Sequence, residues 1–379
     1  MKLDWRRALS FPVVVWLVSR AIILVWAFAV TQFLPVRDLH LVGDPPRAPG
    51  NGAEAWIEPW ARWDTMWYLR IATHGYATND LTAGFFPLYP LLIRALTFFI
   101  PNALLSALVV SNLAALGAFV VFYRLARDLF DEITARRALV YWATFPTAFY
   151  FFAGYAEALL VLFALLSIKA ARTNRWWRAG WSGALATLAR PPGFTILVPL
   201  AVEWLQARGN SFERLRRALP LALVPLGLGA HMLYLQLAFG DALLNLHVWQ
   251  NVTVMPWEMP ILTIKMMLAG ASLPTNLMDL TFTLLVLGLT LYGWRCVPLS
   301  LTLYALFLIL AQMIAFAPTQ GFADIPMTGL ARRVAVVFPA FFVLAQVWRG
   351  KFKEPLWVAS SIALQLIFIS IFVRWLWLD

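Results

Sequence analysis

The chain has 379 residues, of which 61% are hydrophobic and only 13% are charged, whereas soluble domains carry about 25% charged residues. A soluble protein of this size could not bury so much apolar surface, so a cytosolic enzyme and a disordered chain are excluded. The net charge of +11 does not point to nucleic acid, because basic loops of membrane proteins follow the positive-inside rule. One cysteine, Cys296, excludes an internal disulfide and a multi-cysteine metal site.

An apolar run from Leu9 to Leu34 predicts an uncleaved first membrane span with a cytoplasmic N-terminus. Residues 35–84 form a polar loop with more acidic than basic side chains, which favours the extracytoplasmic side. The loops 240–258 and 319–331 contain no Lys or Arg and are predicted to lie on that side as well. Four basic clusters are predicted to be cytoplasmic: 124–137, 169–178, 208–217 and 349–353.

Two segments must bend if the basic loops are to lie in the cytoplasm and the loops without Lys or Arg outside. Residues 178–206 lie between basic loops, and the Arg190-Pro191-Pro192-Gly193 sequence near the middle cannot continue a helix, so a hairpin with its tip inside the membrane is predicted. Residues 85–101 are predicted to dip into the membrane from the outer side, and residues 258–272 to lie in the interface. The remaining predicted spans are 102–126, 137–152, 156–171, 218–239, 275–294, 298–318, 332–348 and 355–377.

The sequence therefore predicts an all-α, polytopic membrane protein. It forms one transmembrane domain over residues 1–379, with about eleven membrane segments, the range being roughly nine to twelve. We see no inverted repeat of the kind that many transporters contain.

The outer loop contains a stretch, 56–76, that predicts a helix lying in the membrane interface, with Gly75 at its end. At about 100° per residue, four tryptophans fall on one face of this helix: Trp56, Trp60, Trp63 and Trp67. Asp64 lies at the margin of the stripe, where a carboxylate is costly unless it has a partner or a function. Its alternative role is solvation or an ion pair with Arg62 or Arg70.

Charged side chains at three other places are predicted to reach the depth of Asp64. Glu157 begins a span on the outer side, where the helix dipole alone could also explain a carboxylate. Arg332 and Arg333 begin another span, against the positive-inside trend, and Arg190 lies at the hairpin tip. Guanidinium groups there can bind a phosphate, and the alternative is pairing with Glu157 or Asp324. No glycine-rich phosphate loop or HExxH motif occurs, so no cofactor is predicted, while a requirement for a divalent metal stays open.

Several short motifs in the sequence resemble those of a known protein family. The sequences Arg62-Trp63-Asp64 and Phe86-Pro87-Leu88-Tyr89-Pro90 resemble the PIG-V-like mannosyltransferases, which belong to the GT-C superfamily of polytopic glycosyltransferases. The same block contains Trp67-Tyr68, Ile71-Ala72 and Gly75-Tyr76. Weaker matches follow in order and extend the resemblance over most of residues 56–340: Phe145-Pro146, Tyr155-Ala156-Glu157, Ala189-Arg190-Pro191-Pro192-Gly193 and Arg333 with Phe338-Pro339.

The resemblance implies a GT-C-like fold and an inverting transferase that moves a sugar, typically mannose, from a polyprenyl-phosphate donor to a lipid or glycan acceptor on the extracytoplasmic face. It assigns the family's essential outer-loop carboxylate to Asp64 and a second acidic position to Glu157, where other members of the superfamily commonly have Asp. The short loops are typical of a prokaryotic member in the plasma membrane, in contact with membrane lipids and not with nucleic acid.

Inverting transfer needs a base next to the acceptor hydroxyl and cations next to the leaving phosphate, so Asp64 is predicted to be the base and Glu157 the second catalytic acid. The predicted substrate-binding residues are Arg62, Trp63, Trp67, Tyr68, His74, Tyr89, Arg190, Arg332 and Arg333. Two alternatives remain: a transporter or flippase of a lipid-linked substrate, and a scaffold subunit with a degenerate site. The acidic, tryptophan-rich outer loop and the lack of a repeat count against the transporter.

Overall fold

The computed structural model describes residues 5–36, 52–248, 251–253, 257–313, 316–318, 326–327 and 329–376. Predictions for 37–51 and for most of 319–331, including the alternative partner Asp324, lie outside the described residues.

Apart from one pair of short strands, the described chain is helical. The α-helices, in chain order, are α1 Trp5–Phe33, α2 Asp64–His74, α3 Leu88–Thr97, α4 Ala103–Leu129, α5 Glu132–Ala143, α6 Glu157–Arg172, α7 Trp176–Ala189, α8 Leu197–Gln206, α9 Ser211–Ala218, α10 Leu223–Phe239, α11 Leu244–His247, α12 Glu258–Leu268, α13 Leu273–Gly293, α14 Leu299–Met313, α15 Leu330–Arg333, α16 Pro339–Val347 and α17 Lys353–Val373. Short 3-10 helices occur at Gly52–Trp56, Glu58–Trp60, Leu81–Gly84, Ala148–Phe151, Pro191–Ile196, Leu219–Ala222 and Val334–Val336. The strands β1 Asn251–Thr253 and β2 Phe316–Pro318 are antiparallel, with Val252 opposite Ala317.

Fewer helices than predicted are long and apolar enough to cross a membrane. In the described part of the chain, five helices meet this criterion, and a sixth span results if one bent pair counts as a single crossing. One of these candidates is α4, whose 27 residues extend about 40 Å after the Asn102 side chain caps the Leu105 amide at 2.9 Å. A polytopic helical membrane protein is confirmed, whereas the predicted count of about eleven segments is not.

Proline explains why two predicted spans are not continuous helices. The predicted span 137–152 is interrupted, because α5 ends at Ala143 and a turn around Pro146 leads into a 3-10 helix. The predicted span 332–348 bends by 83° between Leu330–Val336 and Pro339–Val347. Neither predicted span is therefore a single straight helix, although the bent pair forms one crossing if its two parts are taken together.

The segment around Pro191 reverses direction as the predicted hairpin requires. At its two ends, Arg172 Nη1 lies 2.8 Å from Glu203 Oε1, so the end of α6 and the end of α8 are adjacent. At the tip, a Cβ on Gly193 would lie 2.1 Å from the Ala186 carbonyl oxygen, so only glycine fits the turn. The tip therefore packs closely on the last turns of α7 and carries Arg190.

The two ends of the bundle differ in chemistry. At one end, ion pairs join the predicted basic clusters to neighbouring helices: Lys169 Nζ to Asp128 Oδ2 at 3.2 Å, Arg172 to Glu203 at 2.8 Å and Arg137 to Glu354 at 2.8 Å. At the opposite ends of α6 and α7, Glu157 meets Arg190. The site residues thus collect at the end that faces away from the basic clusters.

Candidate active site

The outer loop does not form the predicted helix over 56–76. Two short 3-10 helices come first, Gly52–Trp56 and Glu58–Trp60. Residues 61–63 are not helical, and α2 begins at Asp64. Trp63 has φ 51°, in the left-handed region that L-residues rarely adopt. The prediction of one tryptophan stripe is therefore wrong. Gly75 does end the helix, with φ 86°, and Asp64 lies in the first turn, where the helix dipole favours a carboxylate.

Arg62 connects the non-helical residues before α2 to the C-terminal end of α17. Its guanidinium is buried, pairs with Glu58 Oε1 at 2.8 Å and donates to the Val373 carbonyl oxygen at 3.1 Å. The Trp375 ring lies 5.2 Å from the Arg62 Cζ and contacts Trp63 edge-on at the same centroid distance. Arg62 and Trp63 therefore anchor the loop to the end of α17.

Asp64 pairs with neither Arg62 nor Arg70, so the predicted alternative partners are wrong; Arg70 pairs with Asp80 at 3.1 Å. Asp64 Oδ2 instead lies 3.0 Å from Arg332 Nη1. Arg332 Nε lies 3.4 Å from Glu157 Oε1, and Glu157 forms an ion pair with Arg190. The result is a chain of alternating charges, Asp64, Arg332, Glu157, Arg190, with no net formal charge.

The two carboxylates of this cluster differ in exposure. The Asp64 side chain is 25% exposed, whereas Glu157 is 1% exposed. The guanidinium groups lie between these limits, at 8% for Arg332 and 15% for Arg190. Asp64 is therefore the carboxylate that an incoming molecule can reach, and Glu157 lies behind the two arginines.

Two tyrosines that the sequence prediction omitted surround Arg332. The rings of Tyr150 and Tyr155 lie 5.3 and 5.0 Å from its Cζ, a cation–π distance. The Tyr155 hydroxyl also accepts from the Asp64 backbone N–H at 3.3 Å. Tyr155 could have been found, because it stands in the family-like match just before Glu157, whereas no motif marks Tyr150.

A glycine sets how closely the two carboxylate-bearing segments approach. A Cβ on Gly154 would lie 2.5 Å from Thr65 Cγ2 and 3.0 Å from Thr65 Oγ1. Thr65 follows Asp64 and is fully buried, and Gly154 lies three residues before Glu157. Glycine is therefore required for the start of α2 to pack against the approach to α6.

The backbone beside Arg332 is held from two sides. Asp279 Oδ1, on α13, accepts from the Ala331 amide at 2.7 Å, and the Thr147 hydroxyl donates to the Ala331 carbonyl at 2.9 Å. Both side chains are buried. These contacts orient the short helix α15, and the sequence did not mark either residue, because neither stands in a charged or aromatic motif.

Tyr68 borders the cluster and Tyr89 supports it. Burial raises the pKa of the Tyr68 phenol, and the positive charge of Arg190 opposes that rise, so Tyr68 is neutral at pH 7 and can donate a hydrogen bond. The Tyr89 ring contacts Tyr68 edge-on at 4.8 Å, and its hydroxyl donates to the Ala107 carbonyl oxygen at 2.9 Å. Tyr89 therefore lies beneath Tyr68, in a second layer.

The remaining predicted site residues lie elsewhere. Trp67 stacks on Phe85 at 6.2 Å, and exposed His74 contacts the Thr73 hydroxyl at 2.8 Å. The Arg333 guanidinium donates to the Gln312 carbonyl oxygen at 3.5 Å and not to the cluster. Within the described residues, no group of three or more His, Cys, Asp or Glu side chains is arranged to hold a metal ion.

The likeness of this chain to solved structures is distant. One solved structure that matches is the crystal structure of the Archaeoglobus fulgidus oligosaccharyltransferase in complex with zinc and sulfate, with a TM-score of 0.43 and 14% identity, over 95% of this chain and 52% of that one. The chain thus spans about half the length of that protein. A search of curated proteins finds no match.

A family profile described as "Mannosyltransferase (PIG-V)" matches residues 13–224. This region is more than half of the chain, and it contains Asp64, Glu157 and Arg190. The chain therefore belongs to the mannosyltransferase (PIG-V) family.

Proposed function

We propose that this protein transfers mannose from a polyprenyl-phosphate donor to a hydroxyl of a lipid or glycan acceptor, with inversion, and that Asp64 is the general base. The observation that carries the proposal is the contact between Asp64 and Arg332 at 3.0 Å. It places a reachable carboxylate directly beside a guanidinium that can bind a phosphate. Both are parts that an inverting transfer from a phosphate-linked sugar needs.

The donor phosphate is proposed to bind Arg332 and Arg190. Arg332 is held by Asp64 on one side and by Glu157 on the other. A phosphate that engages the outer face of this guanidinium competes with Asp64 for it, whereas buried Glu157 keeps its contact. Donor binding would therefore release the Asp64 carboxylate from its ion pair and make it available as a base. This predicts an order of binding, with donor before acceptor.

In the transfer itself, Asp64 takes the proton of the acceptor hydroxyl while that oxygen forms a bond to the anomeric carbon. The bond from this carbon to the phosphate oxygen breaks on the opposite face, so the configuration inverts. The leaving polyprenyl phosphate gains negative charge, which Arg332 and Arg190 stabilise in a site with little exposure to water. The Tyr68 phenol, neutral and beside the cluster, is proposed to donate a hydrogen bond to a sugar or phosphate oxygen.

Glu157 is proposed to be a positioning residue and not a second base. It is 1% exposed and contacts both guanidinium groups, so an acceptor hydroxyl cannot reach it without displacing an arginine. Its carboxylate fixes the two cations at the separation that a phosphate requires. The sequence-based assignment of a catalytic role to Glu157 is thereby replaced by an electrostatic one.

The site is proposed to face the extracytoplasmic side of a prokaryotic plasma membrane, with the N-terminus in the cytoplasm. Support comes from the separation of the two ends of the bundle, because Arg137, Lys169 and Arg172 pair at the end opposite the cluster. Basic residues favour the cytoplasmic side. The lipid tail of the donor would then lie along the apolar helices, with its phosphate at the depth of Arg190.

The proposal is tested by incubating purified protein with polyprenyl-phosphate-mannose and a panel of lipid and glycan acceptors. Mannosylated product and free polyprenyl phosphate are measured together. We expect Asp64→Asn to bind donor but release no polyprenyl phosphate above background, and Glu54→Gln, which changes an exposed carboxylate of the same loop, to behave as wild type. Donor binding without any release in the wild-type protein would contradict the proposal and favour a flippase.

A further inference from the structure

The two basic clusters at 124–137 and 349–353 are far apart in sequence but meet in space. Residues of both line an open surface cavity of ≈ 520 Å³: Arg137 from the first cluster, and Arg349, Gly350, Lys351, Glu354 and Pro355 from the second and the start of α17. The cavity lies where α16 turns into α17, beside α5, at the end of the bundle opposite the active site. Three cations and one carboxylate line it, which leaves a net positive charge of 2.

The floor of this cavity is built before any ligand binds. Arg137 is mostly buried, pairs with Glu354 Oε1 at 2.8 Å and donates to the Ala345 carbonyl oxygen at 3.0 Å. Glu354 also accepts from the Gly350 amide at 3.2 Å, and the Tyr141 hydroxyl donates to the Trp348 carbonyl oxygen at 2.8 Å. The turn between α16 and α17 is therefore tied down at several points and holds its basic side chains in place.

Hydrogen-bond donors of the cavity remain unused. In the part of the chain that the structure describes, the Arg137 Nε atom is buried without a hydrogen-bond partner. This N–H is enclosed by protein, so Arg137 contributes positive charge to the cavity and not a hydrogen bond to a ligand. The exposed Arg349 and Lys351 have no ion-pair partner among the described residues either. Together these groups form a site for an anion.

The surroundings of the cavity indicate which anion. It lies at the first turn of α17, which is a candidate membrane span, and hence at the level of lipid headgroups. Exposed apolar side chains are close to the lining residues in the sequence, namely Val347, Phe352 and Leu356. A soluble phosphate compound would leave these side chains uncovered, whereas a phospholipid places its phosphate in the cavity and its acyl chains along them.

We propose that this cavity binds the headgroup of an anionic phospholipid of the cytoplasmic leaflet. The phosphate contacts Arg349 and Lys351, while Arg137, held in place by Glu354, adds its positive charge from the floor of the cavity. A zwitterionic headgroup binds more weakly, because its own ammonium group meets the excess positive charge. The site is remote from Asp64 and is independent of the proposed transfer reaction.

The test uses the full chain in detergent, with native mass spectrometry to count retained lipid. Phosphatidylglycerol is compared with phosphatidylcholine of the same acyl chains. The test variant is Arg349→Ala with Lys351→Ala, and the matched control is Arg214→Ala with Arg216→Ala, which removes the same charge from exposed positions on α9. Thermal denaturation confirms that both variants fold.

We expect wild-type protein and the control to retain phosphatidylglycerol over phosphatidylcholine. The test variant should lose about fivefold of this preference for each basic residue removed, which is roughly 25-fold for the pair. An unchanged preference in the test variant, or an equal loss in the control, would overturn the proposal. Displacement of the bound lipid by millimolar inorganic phosphate would overturn it as well, because the cavity would then be a site for the free anion.

Discussion

Two helices of this protein, α2 and α6, begin with a carboxylate that contacts Arg332, and they differ in how much of it water can reach. Asp64 at the start of α2 is 25% exposed, and Glu157 at the start of α6 is 1% exposed. Helix dipole and ion pairing are available to both, so these do not distinguish them. Burial distinguishes them. Asp64, the more exposed acid, can exchange its arginine partner for a substrate, whereas Glu157 cannot move away without leaving two buried guanidinium groups unneutralised.

If the two acids differ in this way, Asp64→Asn should cause the largest change in the rate of sugar transfer. The amide keeps the shape and removes the basicity, so turnover should fall by about 10²–10⁴-fold, the usual contribution of a general base. The thermal midpoint should change little, because Arg332 keeps Glu157 as a partner. Both quantities are measured on one preparation. A variant with a lowered thermal midpoint and near-normal turnover would show that Asp64 has a structural role instead.

Glu157→Gln should show the opposite pattern. Removing this charge leaves Arg190 without its carboxylate and Arg332 with Asp64 alone, in a mostly buried setting. We expect a loss of about 3–5 kcal/mol in the free energy of unfolding, measured by thermal or denaturant unfolding in detergent. Whatever protein remains folded should show weaker donor binding. A Gln variant as stable as wild type would mean that burial does not separate the two acids.

Adjacent arginines sharpen the comparison, because only one of them contacts both acids. Replacing Arg332 by Ala should weaken donor binding by about 1.5–3 kcal/mol, the value of a hydrogen bond to a charged group. Arg332→Lys should recover part of this, since it keeps the charge but loses the planar fork. Arg333→Ala is the matched control and should leave donor affinity, measured by equilibrium binding, nearly unchanged. Equal losses at 332 and 333 would place the phosphate elsewhere.

The packing between the two helix starts gives the smallest effect. Gly154→Ala brings a methyl group within 2.5 Å of Thr65 Cγ2, and such overpacking typically costs about 1–3 kcal/mol of stability. Turnover should fall too, because Asp64 moves away from Glu157. The double variant Gly154→Ala with Thr65→Ala removes the clashing atoms and should recover most of both losses. Without such recovery, Gly154 would act through its own backbone and not through this contact.

The sequence identified the four charged members of the cluster, because charge within an apolar chain is conspicuous and the motifs of Asp64, Glu157 and Arg190 occur in family order. It could not choose between Arg332 and Arg333, since α15 has only four residues and an 83° bend follows. Helical periodicity cannot assign a face over so short a length. The break before Asp64 was missed for a similar reason, because the unusual backbone of Trp63 is maintained by contacts with Trp375, far along the chain.

The hydrogen bond from Arg62 to the Val373 carbonyl oxygen joins residues separated by 311 positions. It bears on biosynthesis, because ribosomes deliver the outer loop long before α17, the last helix that the structure describes. Until α17 inserts, the turn that presents Asp64 lacks both this anchor and the Trp375 ring. A translation intermediate would therefore carry Asp64 in an unfinished setting, and the site gains its geometry only when the late and early segments of the chain meet.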